Sequence, residues 1–303
     1  MAKILICDHV EVEKLALGQG VMVDYRPTIT KDELLSVAGE YDAFIIRSRT
    51  KIDREVLDRA TRLKLVARPG TGLDNVDVEY AKSKGVTVIN SPESLVEGVA
   101  EHVVLLMLAL SRKLVVADAS TRSGKWEKNA LMGTELKGKV LGVVGLGRIG
   151  KRIAEIARTL GMSVLFYDVI EIPAEVRASL AARVVSLDEL FSTADYITLH
   201  VPMTTQTAHM VGAAKLEQMK KTAFLVNTSR GGVIDEVALA AALKEGRIGG
   251  AALDVFEKEP PSGPILSAPN TILTPHIGGQ TEEAQTNAIV VIGEKVRAFF
   301  SSG

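Results

Sequence analysis

The chain has 303 residues, 47% hydrophobic and 24% charged, with 36 Lys and Arg against 37 Asp and Glu and a formal net charge of −1. At roughly 100–200 residues per domain that length suggests two domains, and the near-neutral charge excludes a global field that draws the chain to nucleic acid or to an anionic membrane. The single cysteine, Cys7, allows no internal disulfide and fits a reducing cytoplasm, where it reads as a buried, inert thiol.

The N-terminus runs straight into a strand pattern, Lys3–Cys7, with no small-residue cleavage site, so no secretory leader is expected. Similar β-branched runs follow at Val21–Tyr25, Ala43–Ile46, Leu63–Ala67 and Val86–Ile89. A long helix is predicted from about Ser94 to Arg112; its apolar stretch, Val103–Leu110, is too short to span a bilayer. Strand patterns resume at Val140–Gly145, Ser163–Tyr167, Arg183–Val185, Tyr196–His200, Ala223–Asn227, Gly250–Val255 and Ile272–Thr274. Helix-period segments such as Asp53–Ala60, Lys151–Leu160 and Val237–Lys244 separate most of these runs. Strands without in/out alternation, separated by helices, predict parallel sheets covered on both faces. The final helix, Thr281–Phe299, has a cap at Thr281 and acids at Glu282 and Glu283 but no sheet of its own to cover. The expected architecture is therefore α/β, with two doubly wound parallel-sheet domains and a cleft between them. Residues 1–93 plus 280–303 form the substrate-binding domain, and residues 94–279 the cofactor-binding Rossmann domain.

Gly145-Leu146-Gly147-Arg148-Ile149-Gly150 is a G-x-G-x-x-G between a strand pattern and a helix pattern. Its glycines allow a tight turn, close approach of backbone to a pyrophosphate, and close helix–strand packing, while the helix N-terminus presents free N–H groups to the phosphates. The next strand ends in Asp168, a carboxylate placed to accept ribose hydroxyls and repel a 2′-phosphate; Val169, Ile170 and Glu171 offer no cation to welcome that phosphate. This argues for NAD over NADP.

Three later strand ends carry groups suited to carbonyl chemistry: Thr228-Ser229-Arg230-Gly231-Gly232, then Asp254 with Phe256–Pro261, then Pro275-His276-Ile277-Gly278-Gly279. Ligands of open α/β sheets bind outside the carboxyl ends of the strands, so these groups are predicted to converge. Oxidising a secondary alcohol requires a base for the hydroxyl proton, and histidine takes and returns one near neutrality. A neighbouring carboxylate orients the ring, and an arginine grips a substrate carboxylate with two hydrogen bonds. By sequence alone Glu257 and Glu259 compete for the carboxylate role, while His9, His102, His200 and His209 read as structural or solvated. Arg47 and Arg49 follow one first-domain strand and Arg68 ends the next, positions from which they either pair with a phosphate dianion or are solvated and paired with local acids such as Asp53 or Asp74.

Gly145–Gly150, Asp168, His200-Val201-Pro202, Asn227–Gly232, Leu253–Pro260 and Thr274–Gly279, in that order, resemble the signature blocks of the D-isomer-specific 2-hydroxyacid dehydrogenases, and the resemblance covers nearly the whole chain. It implies flavodoxin-like and Rossmann domains, NAD as cofactor, no metal, and hydride transfer at C2 of a small D-2-hydroxy acid. It also implies that Arg230 is the catalytic arginine, that Glu259, immediately before the proline, is the acid rather than Glu257, and that His276 is the acid/base. Ala67–Asp77, Ile46-Arg47-Ser48 and Trp126–Gly138 most resemble the branch that acts on a phosphorylated 2-hydroxy acid. That likeness implies substrate contacts from Arg47, Ser48, Arg68 and the backbone of Thr71 and Gly72. It implies cofactor contacts from Arg148, Ile149, Val201, Thr228, Asp254, Gly278 and Gly279 beside the fingerprint glycines and Asp168, and a homodimer joined mainly through the cofactor domain. Many members of the branch carry C-terminal serine-binding domains; with one helix after His276, serine feedback of that kind is not expected here. NAD(H)-sensing corepressors share the fold but usually carry flanking segments, which makes an enzyme the expected reading.

Overall fold

A computed structural model describes residues 1–301. It divides into two compact units, Met1–Val96 with Gly279–Gly303, and Glu97–Gly278. Positions 302 and 303, the end of the segment assigned above to the first domain, lie outside the described residues.

The first unit is built on β1 (Ala2–Ile6), β2 (Val21–Tyr25), β3 (Ala43–Ile45), β4 (Leu65–Arg68) and β5 (Thr87–Asn90), paired in parallel in the order β2-β1-β3-β4-β5. This is the flavodoxin-like order. The absence of alternation in its strands has a direct cause. Leu5, Phe44 and Val66 face a core that includes Leu34, Val56 and Ala81, while their neighbours Ile4, Ile6, Ala43, Ile45, Leu65 and Ala67 face a second core. The second core is closed by Leu15 and by Ile289, Ile292 and Val296 of the final helix, Glu282–Ser301. Each of these large side chains contributes on the order of 1.5–3 kcal/mol when fully buried.

The second unit adds β6 (Val140–Val144), β7 (Ser163–Tyr167), β8 (Ala182–Val184), β9 (Tyr196–Leu199), β10 (Phe224–Asn227), β11 (Gly250–Leu253) and β12 (Thr271–Leu273). All pair in parallel, in the order β12-β11-β10-β9-β6-β7-β8. The strand order reverses between β6 and β9, the switch point where dinucleotide-type ligands bind in doubly wound sheets. On one face, Ala100, Val103, Leu106, Met107 and Leu110 of the Val96–Ser111 helix pack with Ile153, Ala154 and Ala157 of the Arg148–Thr159 helix over Leu141 and Val143. The predicted long helix ends where expected, but a second, unpredicted helix, Leu114–Arg122, follows it directly. The break falls at Lys113, whose φ is +51°. Leu114, Val115 and Val116 are exposed, so no buried apolar stripe marks this helix in the sequence. Among the described residues no helix is long and apolar enough to cross a membrane.

Candidate active site

The fingerprint turn leaves β6 and enters the Arg148–Thr159 helix. Gly145 has φ +91°, and a Cβ there would lie 2.5 Å from His200 O and 3.1 Å from Val201 Cγ1, so the loops after β6 and β9 touch at the switch point. A Cβ on Gly150 would lie 2.2 Å from Gly145 O. Gly147 differs: nothing lies within 4 Å of its Cβ position, and as N-cap it leaves the first-turn N–H groups without a side-chain acceptor. Open space before an uncapped helix N-terminus, with Arg148 exposed and Ile149 half-buried beside it, fits a pyrophosphate. Asp168, just past β7, is held in place: Leu146 N–H donates to Oδ2 (2.7 Å) and Ile170 N–H to Oδ1 (3.0 Å). A small concavity lined by Phe166, Asp168, Val169, Ile170, Ile172 and Val184 opens there, and Arg177 lines it too. Arg177 reaches it from the following helix, Ala174–Ser179, and not from the residues directly after Asp168. At the end of β10 the buried Thr228 Oγ1 has no hydrogen-bond partner among the described residues, a further fit to a bound cofactor.

The three expected catalytic residues leave the same edge of the sheet, after the adjacent strands β10, β11 and β12. His276 Nδ1 lies 3.0 Å from both Glu259 oxygens, and both side chains are about half exposed, so the pair adds little to stability. Among the described residues Nε2 of His276 has no partner. Phe256 N–H donates weakly to Glu259 Oε1 (3.4 Å). Glu257 is committed elsewhere. It accepts from Glu236 N–H (3.0 Å), its own N–H donates to Glu236 Oε1 (2.5 Å), and His209 Nε2 lies 3.3 Å away. Burial, with the Glu257 charge beside it, raises the Glu236 carboxyl above its ordinary range. Arg230 ends its loop with backbone and side chain both anchored: Asn227 Nδ2 donates to Arg230 O (2.9 Å), and Arg230 Nη1 donates to Ser229 O (2.7 Å).

His276 has φ +57°, a region that costs a non-glycine residue on the order of 1–3 kcal/mol and that surrounding structure has to enforce. The enforcement is visible. Asp254, 1% exposed, accepts from Thr274 Oγ1 (2.6 Å) and Ile277 N–H (2.8 Å) at Oδ1 and from Gly278 N–H (2.8 Å) at Oδ2. Burial pushes this carboxyl up, but hydrogen bonds from His102, Thr274, Ile277 and Gly278 outweigh it and leave it below its ordinary value. His102, read above as structural or solvated, thus belongs to this network. His200 is closer to that reading: burial holds its ring well below the ordinary histidine range, and Nε2 meets Thr198 Oγ1 at 2.7 Å.

In the first unit Asn75 Nδ2 donates to Arg47 O and Thr50 O (2.6 Å each), stitching the loop after β3 to the loop after β4. The Arg47 guanidinium meets Gln285 Oε1 of the final helix, and burial lowers its pKa. Ser48 is exposed, Arg68 and Gly72 half-buried, and the Thr71 hydroxyl buried without a partner among the described residues. Arg49 is spent within the unit. Its guanidinium pairs with Asp8 (2.9 Å) and donates to the carbonyls of Cys7, Pro27 and Ile29, while Asp53 pairs with Lys31 (2.8 Å). Asn75 and Gln285 carried no signal in the sequence, because their partners are 25 or more positions away. Among the described residues no group of three or more His, Cys, Asp or Glu side chains is arranged to hold a metal ion.

Residues 104–278 match the profile of the D-isomer specific 2-hydroxyacid dehydrogenase NAD binding domain. The chain is 44% identical over 300 residues to a D-3-phosphoglycerate dehydrogenase of Methanocaldococcus jannaschii, covering 98% of this chain and 57% of that one. It is 43% identical over 272 residues to a hydroxypyruvate reductase of Thermotoga maritima, covering 88% of each. A crystal structure of a glyoxylate reductase from Paecilomyes thermophila superposes with a TM-score of 0.91 at 30% identity, covering 98% of this chain and 94% of that one. The chain spans about half the length of the phosphoglycerate dehydrogenases it matches.

Proposed function

The chain belongs to the D-isomer specific 2-hydroxyacid dehydrogenases, and on that premise we propose that it oxidises 3-phosphoglycerate at C2 to 3-phosphohydroxypyruvate with NAD, the entry step to serine synthesis. The observation that carries the reading is the His276–Glu259 pair at 3.0 Å on neighbouring strand ends. His276 Nε2 takes the C2 hydroxyl proton, while Glu259 holds Nδ1 and stabilises the imidazolium that results. Arg230 holds the substrate carboxylate and polarises the C2 oxygen. Arg47, Ser48, Arg68 and the backbone of Thr71 and Gly72 are the substrate contacts proposed in the first unit. The Gly145–Gly150 turn, Arg148, Ile149, Asp168, Val201, Thr228, Asp254, Gly278 and Gly279 are the proposed cofactor contacts. NAD, when bound, supplies the hydride acceptor.

A second reading, reduction of hydroxypyruvate or glyoxylate, is favoured by coverage, since the hydroxypyruvate reductase matches over 88% of both chains. Initial rates on 3-phosphoglycerate, glycerate, glyoxylate and pyruvate, each with the oxidised or reduced forms of NAD and NADP, separate the readings. The phosphorylated substrate is expected to be fastest with NAD. Faster turnover of the unphosphorylated acids transfers the assignment to the second reading, and no turnover of any of them removes both. The exposed Leu105, Leu108, Leu114, Val115 and Val116 on two consecutive helices of the second unit support a homodimer through that unit. Light scattering on the purified protein tests it, a monomer at micromolar concentration being the adverse result. The lone, buried Cys7 supports residence in the cytoplasm.

A further inference from the structure

We propose that His102 is a positioning residue for His276, acting through Asp254; the inference rests on the reading of His276 as acid/base. His102 stands on the Val96–Ser111 helix, its side chain 10% exposed, with Nε2 3.2 Å from Thr274 Oγ1 and 3.5 Å from Asp254 Oδ1. The Asp254 carboxylate holds Thr274 on one side of His276 and Ile277 and Gly278 on the other. Three hydrogen bonds already seat this carboxylate, two at Oδ1 and one at Oδ2, but all three come from the segment it has to hold. The imidazole adds a contact anchored outside that segment, and its Cδ2 also backs the Gly278 backbone, lying 3.6 Å from where a Cβ would stand. The positive φ of His276 is sustained only while both flanks stay gripped, so loss of the imidazole frees the loop to relax toward commoner backbone angles and carries the ring of His276 away from Glu259.

His102→Met and His102→Gln form the test. Both side chains are unbranched and of similar length, but only the amide can donate to Thr274 and Asp254. In the cofactor-free protein, amide hydrogen exchange at Ile277 and Gly278 reads the loop directly. With His102→Met it is expected to rise about tenfold or more, with the β6 and β10 amides unchanged. Turnover is expected to fall roughly ten- to a hundredfold, the scale of one lost hydrogen bond to a charged group. His102→Gln is expected to recover most of both effects. Unchanged exchange and turnover in His102→Met, or a glutamine variant as impaired as the methionine one, overturns the proposal. A wild-type protein with no turnover on any 2-hydroxy acid overturns the functional reading instead, and the exchange result then still decides the brace.

Discussion

Gly147→Ala and Gly150→Ala, three residues apart in one turn, are expected to fail in opposite ways. At Gly150 the added methyl lands 2.2 Å from Gly145 O and 3.1 Å from Val143 Cγ1, and the nearer atom is backbone that cannot swing aside. Overpacking of this kind costs about 1–3 kcal/mol, offset by the roughly 1 kcal/mol that alanine gains over glycine inside a helix. The expected net is a loss of stability of up to about 2 kcal/mol together with a displaced fingerprint turn. At Gly147 the backbone sits at φ −70° and ψ −163°, which alanine adopts freely, and the methyl meets no atom within 4 Å. Stability there should hold or rise by about 0.4–1 kcal/mol, because the unfolded chain loses freedom. The same methyl occupies the approach to the helix N-terminus, so dinucleotide affinity should fall at least about tenfold, equivalent to about 1.4 kcal/mol. Urea unfolding and NADH fluorescence titration on both variants make the comparison. A Gly147→Ala protein that binds NADH as tightly as its parent refutes the cradle, and a Gly150→Ala protein that is more stable than its parent refutes the packing argument.

Glu259→Gln should lower turnover by about a hundredfold or more while leaving NADH affinity within about twofold, because the amide still touches Nδ1 but no longer stabilises the imidazolium; steady-state rates alongside fluorescence titration check this, and wild-type turnover is the contrary result. Asp168→Asn should shift the ratio of kcat/KM for NAD over NADP downward by about tenfold or more, since it removes a charge that repels the 2′-phosphate while Arg177 lines the same concavity; an unchanged ratio places selectivity elsewhere. The Asp254 carboxyl is held below its ordinary value of 3.8, so its contribution to stability is present above that value and is lost as pH falls through the folded-state pKa. Asp254→Asn should therefore be less stable at neutral pH yet show a shallower acid limb, and parallel unfolding curves at every pH would rule out the assignment.

The strands were readable because each lies between two covered faces: Ile4-Leu5-Ile6 alternates between two cores and so appears as one unbroken apolar run. The Leu114–Arg122 helix was not readable, because its apolar residues are exposed and the left-handed Lys113 that begins it is an ordinary lysine in the sequence. Within the site, groups on strand ends could be anticipated, since a parallel sheet sends β10, β11 and β12 to one edge. What separates Glu257 from Glu259 could not be read from spacing, because the discriminating partners, Glu236 and His209, are long-range. The same holds for His102, whose partners Thr274 and Asp254 lie far along the chain, and for Arg49, drawn away by Asp8.

The final helix closes a core that begins with the first strand, and this sets an order on biosynthesis. Ile4, Ile6 and Ile45 emerge from the ribosome early, but Ile289, Ile292 and Val296, which cover them, emerge only after the whole second unit. Roughly 180 residues of the second unit are synthesised in between, and at about 5–20 residues per second the nascent sheet waits on the order of ten seconds or more with one greasy side bare. During that interval the second unit has all of its own chain and can complete itself, whereas the first needs the closing segment before it gains its full cooperativity. Chaperone dependence, and sensitivity to truncation within the Glu282–Ser301 helix, should therefore track the N-terminal sheet rather than the dinucleotide fingerprint.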